Sequence, residues 1–225
     1  MQNYRLSEIQ SKLNIMRVYP LDILVVGSTG AGKSTTLNTL FTKEVAKVGT
    51  GVDPETMELD SYELNNLIRF WDSPGLGDGV VKDAEHSKKL VDLLYKTYVF
   101  NGVKYGWVDL VLVIVEGINR DLGTTYHLLN QVIVPNFVKD RILVAINQCD
   151  MAMKGRHFDY NKNEPDSRLL EFLDDFANSI QLRVKEATNV EIKKPIYYSA
   201  LHGYNIKAFY DFIIDNIPKI KRIIK

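Results

Sequence analysis

Residues 27–34 read Gly27-Ser-Thr-Gly-Ala-Gly-Lys-Ser34, and this stretch decides the fold. It directly follows an apolar run at residues 21–26 and precedes a helix-like segment at residues 33–41. A continuous apolar run is typical of a strand that is covered on both faces of a sheet. A strand, a glycine-rich turn and a helix in this order predict the first βα unit of an α/β fold.

The rest of the chain repeats this alternation of apolar runs and longer helix-like segments, which predicts a mainly parallel sheet. We predict a hairpin at Asn65-Asn66, where two strands meet at a tight turn, and place the strands at residues 21–26, 57–64, 67–71, 109–115, 141–146 and 196–199. We predict helices at residues 33–41, 84–98, 124–132, 166–187 and 206–221. The polar stretch at residues 151–165 is interpreted as a loop or short insertion.

The expected architecture is therefore α/β, a three-layer sandwich with a six-stranded, mostly parallel sheet and helices on both faces. A single domain over residues 1–225 accommodates these elements, with a short amphipathic helix within residues 1–18. In such a sheet, ligands bind at the carboxyl ends of the strands. Polar motifs that follow strands are therefore the candidates for function.

The glycine-rich stretch has the residue types that bind phosphate, because it matches G-x-x-x-x-G-K-[ST] between a strand and a helix. Its backbone N–H groups would surround the phosphates, and the helix would point its positive end at them. The Lys33 ammonium would lie between the β and γ phosphates, and the Ser34 hydroxyl would coordinate Mg²⁺. A glycine turn that merely caps a helix is the weaker alternative. The predicted phosphate-binding residues are Thr29, Gly30, Ala31, Gly32, Lys33, Ser34 and Thr35.

A second motif, Asp72-Ser-Pro-Gly75, ends the apolar segment at residues 67–71. An acid at a strand end can hold a water of Mg²⁺, and the Gly75 N–H can face the γ phosphate. The same four residues often form an ordinary turn. Their place in the hairpin after the phosphate-binding stretch favours the functional interpretation.

Two further motifs predict a site for a nucleobase. Asp150, in Asn147-Gln148-Cys-Asp150, can accept hydrogen bonds from guanine N1–H and the 2-amino group, which adenine lacks. Asn147 can connect this loop to the phosphate-binding stretch. The last motif, Ser199-Ala200-Leu201, would direct the Ala200 N–H at guanine O6. Asn and Asp are also common in turns after strands.

Taken in order, these four motifs resemble the first, third, fourth and fifth nucleotide-binding boxes of translation-factor-related GTPases. The Thr-Gly-Ala-Gly-Lys-Ser loop, Asn38 and the N-Q-x-D box are similar to those of the Era-like branch, in particular the bacterial YfjP/YkfA-type GTPases. The resemblance implies a switch threonine that closes over Mg²⁺, for which Thr50 and Thr56 are candidates. Thr56 is favoured because it precedes the second strand.

The resemblance implies binding of GTP, GDP and Mg²⁺, and hydrolysis of GTP by a nucleotide-dependent switch. It assigns catalysis to Lys33, Thr56 and Gly75, and Mg²⁺ binding to Ser34, Thr56 and Asp72. A GTP-dependent assembly module with negligible turnover, similar to septins or plastid import receptors, is the alternative. A P-loop ATPase or kinase is a third hypothesis, which Asp150 and the length of the chain disfavour.

Three residues depart from the family pattern. Gln148 stands where most members have lysine, Leu76 where Ras-like enzymes have the glutamine that orients water, and Gly30 where potassium-activated relatives have asparagine. We therefore expect slow hydrolysis without a partner. Another copy across the nucleotide face, or an unidentified protein, would supply the acceleration.

Composition limits the other partners and the compartment. Lys plus Arg and Asp plus Glu both number 28, so the net charge is zero and no overall basic field would attract DNA. Contact with RNA or a membrane stays open. The single cysteine, Cys149, suits a reducing compartment. The apolar run at residues 110–115 is too short to span a bilayer, and no signal peptide is visible. We expect a soluble, cytoplasmic protein.

Three predictions concern residues outside these motifs. Trp71 and Trp107 flank strands and are expected to pack against the core or its edge. The aromatic segment at residues 95–107 is either a partner surface or ordinary loop packing. The tail at residues 219–225 carries four basic residues and is predicted to be the solvated end of the last helix, with membrane contact as the alternative.

Overall fold

The computed structural model describes residues 3–16, 19–41, 60–73, 75, 80–118 and 123–224. The helices in these residues are α1 (Leu6–Met16), α2 (Lys33–Phe41), α3 (Val80–Tyr95), α4 (Gly123–His127), α5 (Ser167–Thr188) and α6 (Ile206–Asp215). The strands are β1 (Leu21–Gly27), β2 (Asp60–Asn65), β3 (Ile68–Asp72), β4 (Thr97–Phe100), β5 (Val103–Gly106), β6 (Leu110–Glu116), β7 (Ile142–Asn147), β8 (Phe158–Asp159), β9 (Glu164–Pro165) and β10 (Ile196–Tyr197).

The central sheet has six strands in the order β10-β7-β6-β1-β3-β2. Neighbours from β10 to β3 pair in parallel, and β2 pairs with β3 in antiparallel orientation through the predicted hairpin. The part of this hairpin predicted at residues 57–59 lies outside the described residues. The six-stranded, mostly parallel sheet that the sequence predicted is confirmed.

Helices cover both faces of the sheet. On one face α1, α2 and α6 bury side chains such as Leu13, Leu37 and Phe209 against the strands. On the other face α3, α5 and the segment after α4 bury Leu90, Ile180 and neighbouring side chains. Because β1, β6 and β7 are apolar on both sides, they are buried from both faces, as their continuous apolar runs indicate.

The parallel strands bring the sequence motifs to one edge. Strand β1 ends at Gly27, β3 at Asp72, β7 at Asn147 and β10 at Tyr197, so all four motifs follow carboxyl ends of strands in the same sheet. This edge is where an open α/β sheet binds ligands. The topology therefore assembles one candidate site from four segments that are far apart in sequence.

The predicted helix at residues 84–98 is wrong at its end. Helix α3 ends at Tyr95, and the next residues form an antiparallel hairpin of β4 and β5 that turns at Asn101-Gly102. Both turn residues have positive φ, +50° and +75°, a conformation that asparagine and glycine tolerate best. The β-branched and aromatic residues around this Asn-Gly pair were the signal of a hairpin that helix periodicity obscured. Trp107, just after the hairpin, packs on Trp71 with 5.6 Å between ring centroids, which confirms the packing role predicted for both.

The predicted helix at residues 206–221 also ends early, and its basic tail is not solvated as predicted. Helix α6 ends at Asp215, and Pro218 follows shortly after. The tail then runs along the hairpin: the Gly106 N–H donates to the Arg222 carbonyl (2.7 Å), and the Ile224 N–H donates to the Lys104 carbonyl (2.9 Å). Lys221 and Arg222 are buried in this arrangement.

Two remaining segments differ in detail from the prediction. After α4 the chain continues as a π-helix over Leu128–Ile133, where one α-helix had been predicted. The expected loop at residues 151–165 contains a short 3₁₀ segment, Cys149–Gly155, and the small β8–β9 pair. Among the described residues, every helix is too short or too polar to span a bilayer.

Candidate functional site

The glycine-rich stretch turns back on itself between β1 and α2. Gly30 and Gly32 have φ values of +88° and +81°, which side chains with a Cβ rarely adopt. A Cβ at Gly32 would collide with the Asn147 side-chain amide. Thr29, Gly30, Ser34 and Thr35 are exposed, whereas Ala31 is buried beneath the turn. The stretch therefore presents an open loop at the start of a helix, as a phosphate-binding loop requires.

Lys33 holds its charge within this loop. Its side chain is largely buried, and its ammonium donates to the carbonyls of Gly27 (3.3 Å) and Ser28 (3.1 Å) at the end of β1. A lysine held by strand-end carbonyls presents a fixed positive charge beside the exposed residues of the loop. The arrangement is suited to an anion.

Two side-chain oxygens of the types that bind hard cations lie side by side. The Ser34 hydroxyl donates to Asp72 Oδ2 at 2.9 Å, which joins the start of α2 to the end of β3. No cluster of three or more His, Cys, Asp or Glu that could hold a metal occurs in the described residues. Mg²⁺ commonly uses one or two protein oxygens together with water and substrate phosphates. The Ser34–Asp72 pair fits this pattern.

Gly75 lies directly against the loop. A Cβ at this position would be 2.6 Å from Thr29 Oγ1 and 2.7 Å from the Thr29 nitrogen, so a side chain would force the two segments apart. The glycine therefore permits the close approach that the third box requires. Thr50, Thr56 and Leu76, which the sequence also singled out, lie outside the described residues.

Asn147 connects three of the predicted segments. Its Nδ2 donates to the Ala31 carbonyl of the phosphate-binding loop (2.9 Å), and its Oδ1 accepts from the Ala200 N–H (3.0 Å). The first contact is the connection predicted for Asn147. The second differs from the expectation that the Ala200 N–H faces guanine O6, since this buried donor is satisfied by Asn147 in the structure.

Gln148 adds a second link to the phosphate-binding loop. Its Nε2 donates to the Gly30 carbonyl at 2.9 Å. Its backbone is left-handed, with φ of +59°, which is uncommon for a residue other than glycine. Gln148 thus lies across the loop as a bridge between the two halves of the site.

Asp150 is a buried carboxylate at the end of this loop, with 2% of its surface exposed. Cys149, beside it, is fully buried, and burial followed by the charge of Asp150 raises the pKa of its thiol to about 12. A thiol with this pKa is not a nucleophile at neutral pH, so Cys149 is a packed residue beside Asp150. Ser199 is buried, and Leu201 is 76% exposed.

Sequence reasoning missed a set of hydroxyl contacts that join the segment after β10 to helix α2. The Tyr198 hydroxyl lies 2.8 Å from Thr36 Oγ1 on α2, and Thr39 Oγ1 donates to the Ala200 carbonyl at 2.8 Å. Tyr198 is fully buried, and burial raises its phenol pKa. No motif marks these residues, because a threonine on a helix and a tyrosine just after a strand are common when each is taken alone.

The assembled edge of the sheet can bind an anion and a polar base together. Exposed loop N–H groups and Lys33 suit phosphates, the Ser34–Asp72 pair suits Mg²⁺, and the Asp150 carboxylate suits donors on a planar base. Residues 22–148 match the model of the 50S ribosome-binding GTPase family. The match covers more than half of the chain, so the chain belongs to this family, and the Era-like P-loop relationship predicted from the motifs is confirmed.

Individual relatives share about a third of their aligned residues with this chain and align with only part of it. YfjP of Escherichia coli K12 is 30% identical over 148 residues, which are 64% of this chain and 47% of YfjP. Septin-8-B of Xenopus laevis is 32% identical over 100 residues, 40% of this chain and 23% of the septin. The alignments thus span less than half the length of either relative.

A solved structure that covers nearly the whole chain is Toc33 from Arabidopsis thaliana, in complex with GDP and Mg²⁺. It aligns with a TM-score of 0.64 over 99% of this chain and 94% of Toc33, at 16% identity. At this identity the likeness establishes the fold.

Proposed function

We propose that this member of the 50S ribosome-binding GTPase family binds GTP with Mg²⁺ and hydrolyses it to GDP and phosphate as a nucleotide-dependent switch. The observation that carries the proposal is the pair of hydrogen bonds made by Asn147 to Ala31 and Ala200. One side chain thereby ties the phosphate-binding loop to the loop that precedes Asp150 and to the last box. A single ligand with phosphates at one end and a guanine at the other matches this arrangement.

Phosphate binding is assigned to the loop N–H groups of residues 29–35 and to Lys33. Their fixed positive charge would stabilise the negative charge that develops as water attacks the γ phosphorus and the bond to the β–γ bridging oxygen breaks. The Gly75 N–H is assigned to the γ phosphate, because Gly75 lies against Thr29. Thr56 is assigned to the closed, GTP-bound state.

Mg²⁺ would be held by Ser34, Thr56 and Asp72, and when bound it neutralises charge on the β and γ phosphates. Ser34 and Asp72 are already hydrogen-bonded to each other, so binding would replace this contact. Ser34 stands at the start of α2, where the helix dipole also favours the phosphate. These two residues would therefore strengthen the binding of GTP more than the binding of a nucleotide that lacks the γ phosphate.

Guanine selectivity is assigned to Asp150. A buried carboxylate is costly without partners, and guanine N1–H and its 2-amino group supply two donors. Adenine offers no donor pair in this position, so its complex would leave the carboxylate unsatisfied. Gln148 would border the base through its contact with Gly30.

Hydrolysis is proposed to be slow in the isolated chain. Leu76 follows Gly75 and cannot orient water, and Gly30 lacks the side chain that holds potassium in activated relatives. The accelerating group would come from a second copy across the nucleotide face or from a protein partner. The same substitution at Leu76 favours a second candidate function, a GTP-dependent interaction module with negligible turnover.

Calorimetry and phosphate release test these functions together. The full chain should bind GTP and GDP in the presence of Mg²⁺ and bind ATP much more weakly. Multiple rounds of phosphate release from GTP, lost in the Lys33→Ala variant, support the switch. Nucleotide binding with less than one phosphate released per molecule supports the interaction module. Equal affinity for ATP and GTP would overturn the guanine assignment.

A further inference from the structure

Residues 151–165, which follow the buried Asp150 in the chain, form a wall beside it. The 3₁₀ turn in this segment contains Met153 and Lys154 with φ of +52° and +66°, and Gly155 with φ of +67°. Two consecutive non-glycine residues in the left-handed region carry a conformational cost that the surrounding contacts must offset. The Tyr160 hydroxyl donates to the Asp150 carbonyl at 3.4 Å, so the segment is folded back onto this residue.

His202 lies between this wall and Asp150. Its Nε2 is 3.6 Å from Asp150 Oδ2. Its ring packs edge-on against Tyr160, with 5.1 Å between centroids, and lies 6.1 Å from the ring of Phe158. The imidazole therefore contacts the ring of Tyr160 and lies near the Asp150 carboxylate, while about a third of its side chain stays exposed.

The backbone of His202 is also held in place. Its N–H donates to Ser199 Oγ at 3.3 Å, and its carbonyl accepts from Asn163 Nδ2 at 3.0 Å. The first contact belongs to the last nucleotide box and the second to the wall. These contacts fix the backbone of His202 beside Asp150, and rotation of the side chain sets the distance between Nε2 and the carboxylate.

We propose that His202 is a positioning residue for guanine recognition: its Nε2–H, 3.6 Å from Asp150 Oδ2 in the structure, moves to hydrogen-bond distance when the base binds and fixes the plane of the carboxylate. This inference rests on the proposed function. A carboxylate that accepts two donors from one planar base must lie in the plane of that base. A donor on one oxygen reduces rotation of the carboxylate in the complex with the base. Both the neutral Nε2–H tautomer and the imidazolium donate from Nε2.

A pair of nucleotides separates this role from a structural one. Hypoxanthine has the N1–H of guanine but lacks the 2-amino group, so IDP has one donor fewer for the carboxylate. Orientation of the carboxylate therefore matters more for GDP than for IDP. A variant that only destabilises the fold would weaken the binding of GDP and of IDP equally.

The experiment measures the affinities of the full chain and its variants for GDP and IDP by calorimetry with Mg²⁺. We expect His202→Ala to weaken GDP about threefold to tenfold, from the loss of a hydrogen bond to a charged acceptor. We expect the affinity for IDP to fall less, so that the ratio of the GDP affinity to the IDP affinity decreases. His202→Gln, which keeps a donor, should recover most of the GDP affinity. Tyr160→Ala should change the ratio in the same direction as His202→Ala, because it frees the imidazole.

His127→Ala, at an exposed position on α4, is the matched control and should leave both affinities unchanged. Unchanged GDP affinity in His202→Ala overturns the inference, as does an equal loss for GDP and IDP that His202→Gln does not repair. In either case wild-type binding of GDP leaves the proposed function standing. A wild-type chain that binds neither nucleotide overturns both.

Discussion

The ammonium of Lys221 forms an ion pair with the carboxylate of Asp109, and both side chains are buried at the edge of the sheet opposite the phosphate-binding loop. Asp109 also accepts from the Asp22 N–H at 3.1 Å. Burial raises the pKa of Asp109, and the charge of Lys221 opposes that shift. This ion pair attaches the tail of the chain, through Lys221, to the residue that precedes β6.

Removing Lys221 should destabilise the fold. Lys221→Met leaves the Asp109 carboxylate buried without its cation, which costs about 3–5 kcal/mol in the free energy of unfolding. Adding Asp109→Asn should recover much of this loss, because the remaining group is neutral. Urea unfolding measures the free energy of unfolding of the wild type, the Lys221→Met variant and the double variant. Lys219→Met, at an exposed position in the same tail, should change stability by no more than about 0.5 kcal/mol. Lys221→Met with a loss no larger than this control would contradict the prediction.

Asp150→Asn should change the base preference from guanine to xanthine. The amide keeps an oxygen that can accept from N1–H but replaces the second acceptor, which faces the guanine 2-amino group, with a donor suited to the 2-oxo group of xanthine. We expect a loss of about 2–4 kcal/mol in GTP binding, from polar groups left unpaired at a buried position. Competition between GTP and XTP for the variant measures this change. Wild-type GTP affinity in the variant would show that the base is read elsewhere.

Ser34→Asn should weaken GTP more than GDP. The substitution removes the hydroxyl that pairs with Asp72 while the loop N–H groups remain, so binding of the β phosphate survives. Lys33→Ala should weaken both nucleotides, and Ser34→Thr, which keeps a hydroxyl, should restore GTP binding. Calorimetry with both nucleotides and Mg²⁺ is the measurement. Equal losses for GDP and GTP in Ser34→Asn would argue against Mg²⁺ binding by this residue.

Turnover per molecule should rise with protein concentration. Because Leu76 cannot orient water, we expect roughly 10⁻⁴–10⁻² per second for the dilute chain, and up to about 10³–10⁵ faster when a missing group is supplied. Phosphate release is measured over a range of concentrations in potassium and again in sodium. Fast turnover that ignores concentration would show a complete site in the monomer. Strong stimulation by potassium would refute only the argument that rests on Gly30.

The thiol of Cys149 should resist modification in the folded protein. Its pKa is raised to about 12 by burial and by Asp150, so at pH 8 almost no thiolate is present. Ellman's reagent should react slowly with the native chain and rapidly after unfolding in urea. Above pH 9 the unfolded thiol loses its proton while the folded thiol keeps it, so stability should fall as pH rises toward 12. Rapid reaction of the native protein at pH 8 would contradict the burial of this side chain.

The order of the motifs and the class of the fold were predictable because each motif is a short contiguous segment with its own chemistry. The loop at residues 27–34 combines glycine, lysine and serine at fixed spacing, and the apolar runs around it alternate with helices. Helix α2 occupies the predicted residues, since its start is set by the loop itself. Local propensity also placed the β2–β3 hairpin, where the turn residues are adjacent. It failed at the β4–β5 hairpin, because the helix pattern extended into Thr97 and Tyr98 and the rest of the segment was interpreted as a partner surface or loop packing.

What the sequence by itself determined is therefore the family, the mostly parallel sheet and the order of the motifs along the chain. The tertiary structure alone decided which distant residues meet: Lys221 with Asp109, 112 residues apart, and Tyr198 with Thr36, 162 residues apart. It likewise decided that His202 faces Asp150 and that a basic tail is buried. A lysine, a tyrosine or a histidine has no preference for such a partner in its own sequence neighbourhood. The pairing arises only when the folded sheet and helices bring the two side chains together and remove the water between them.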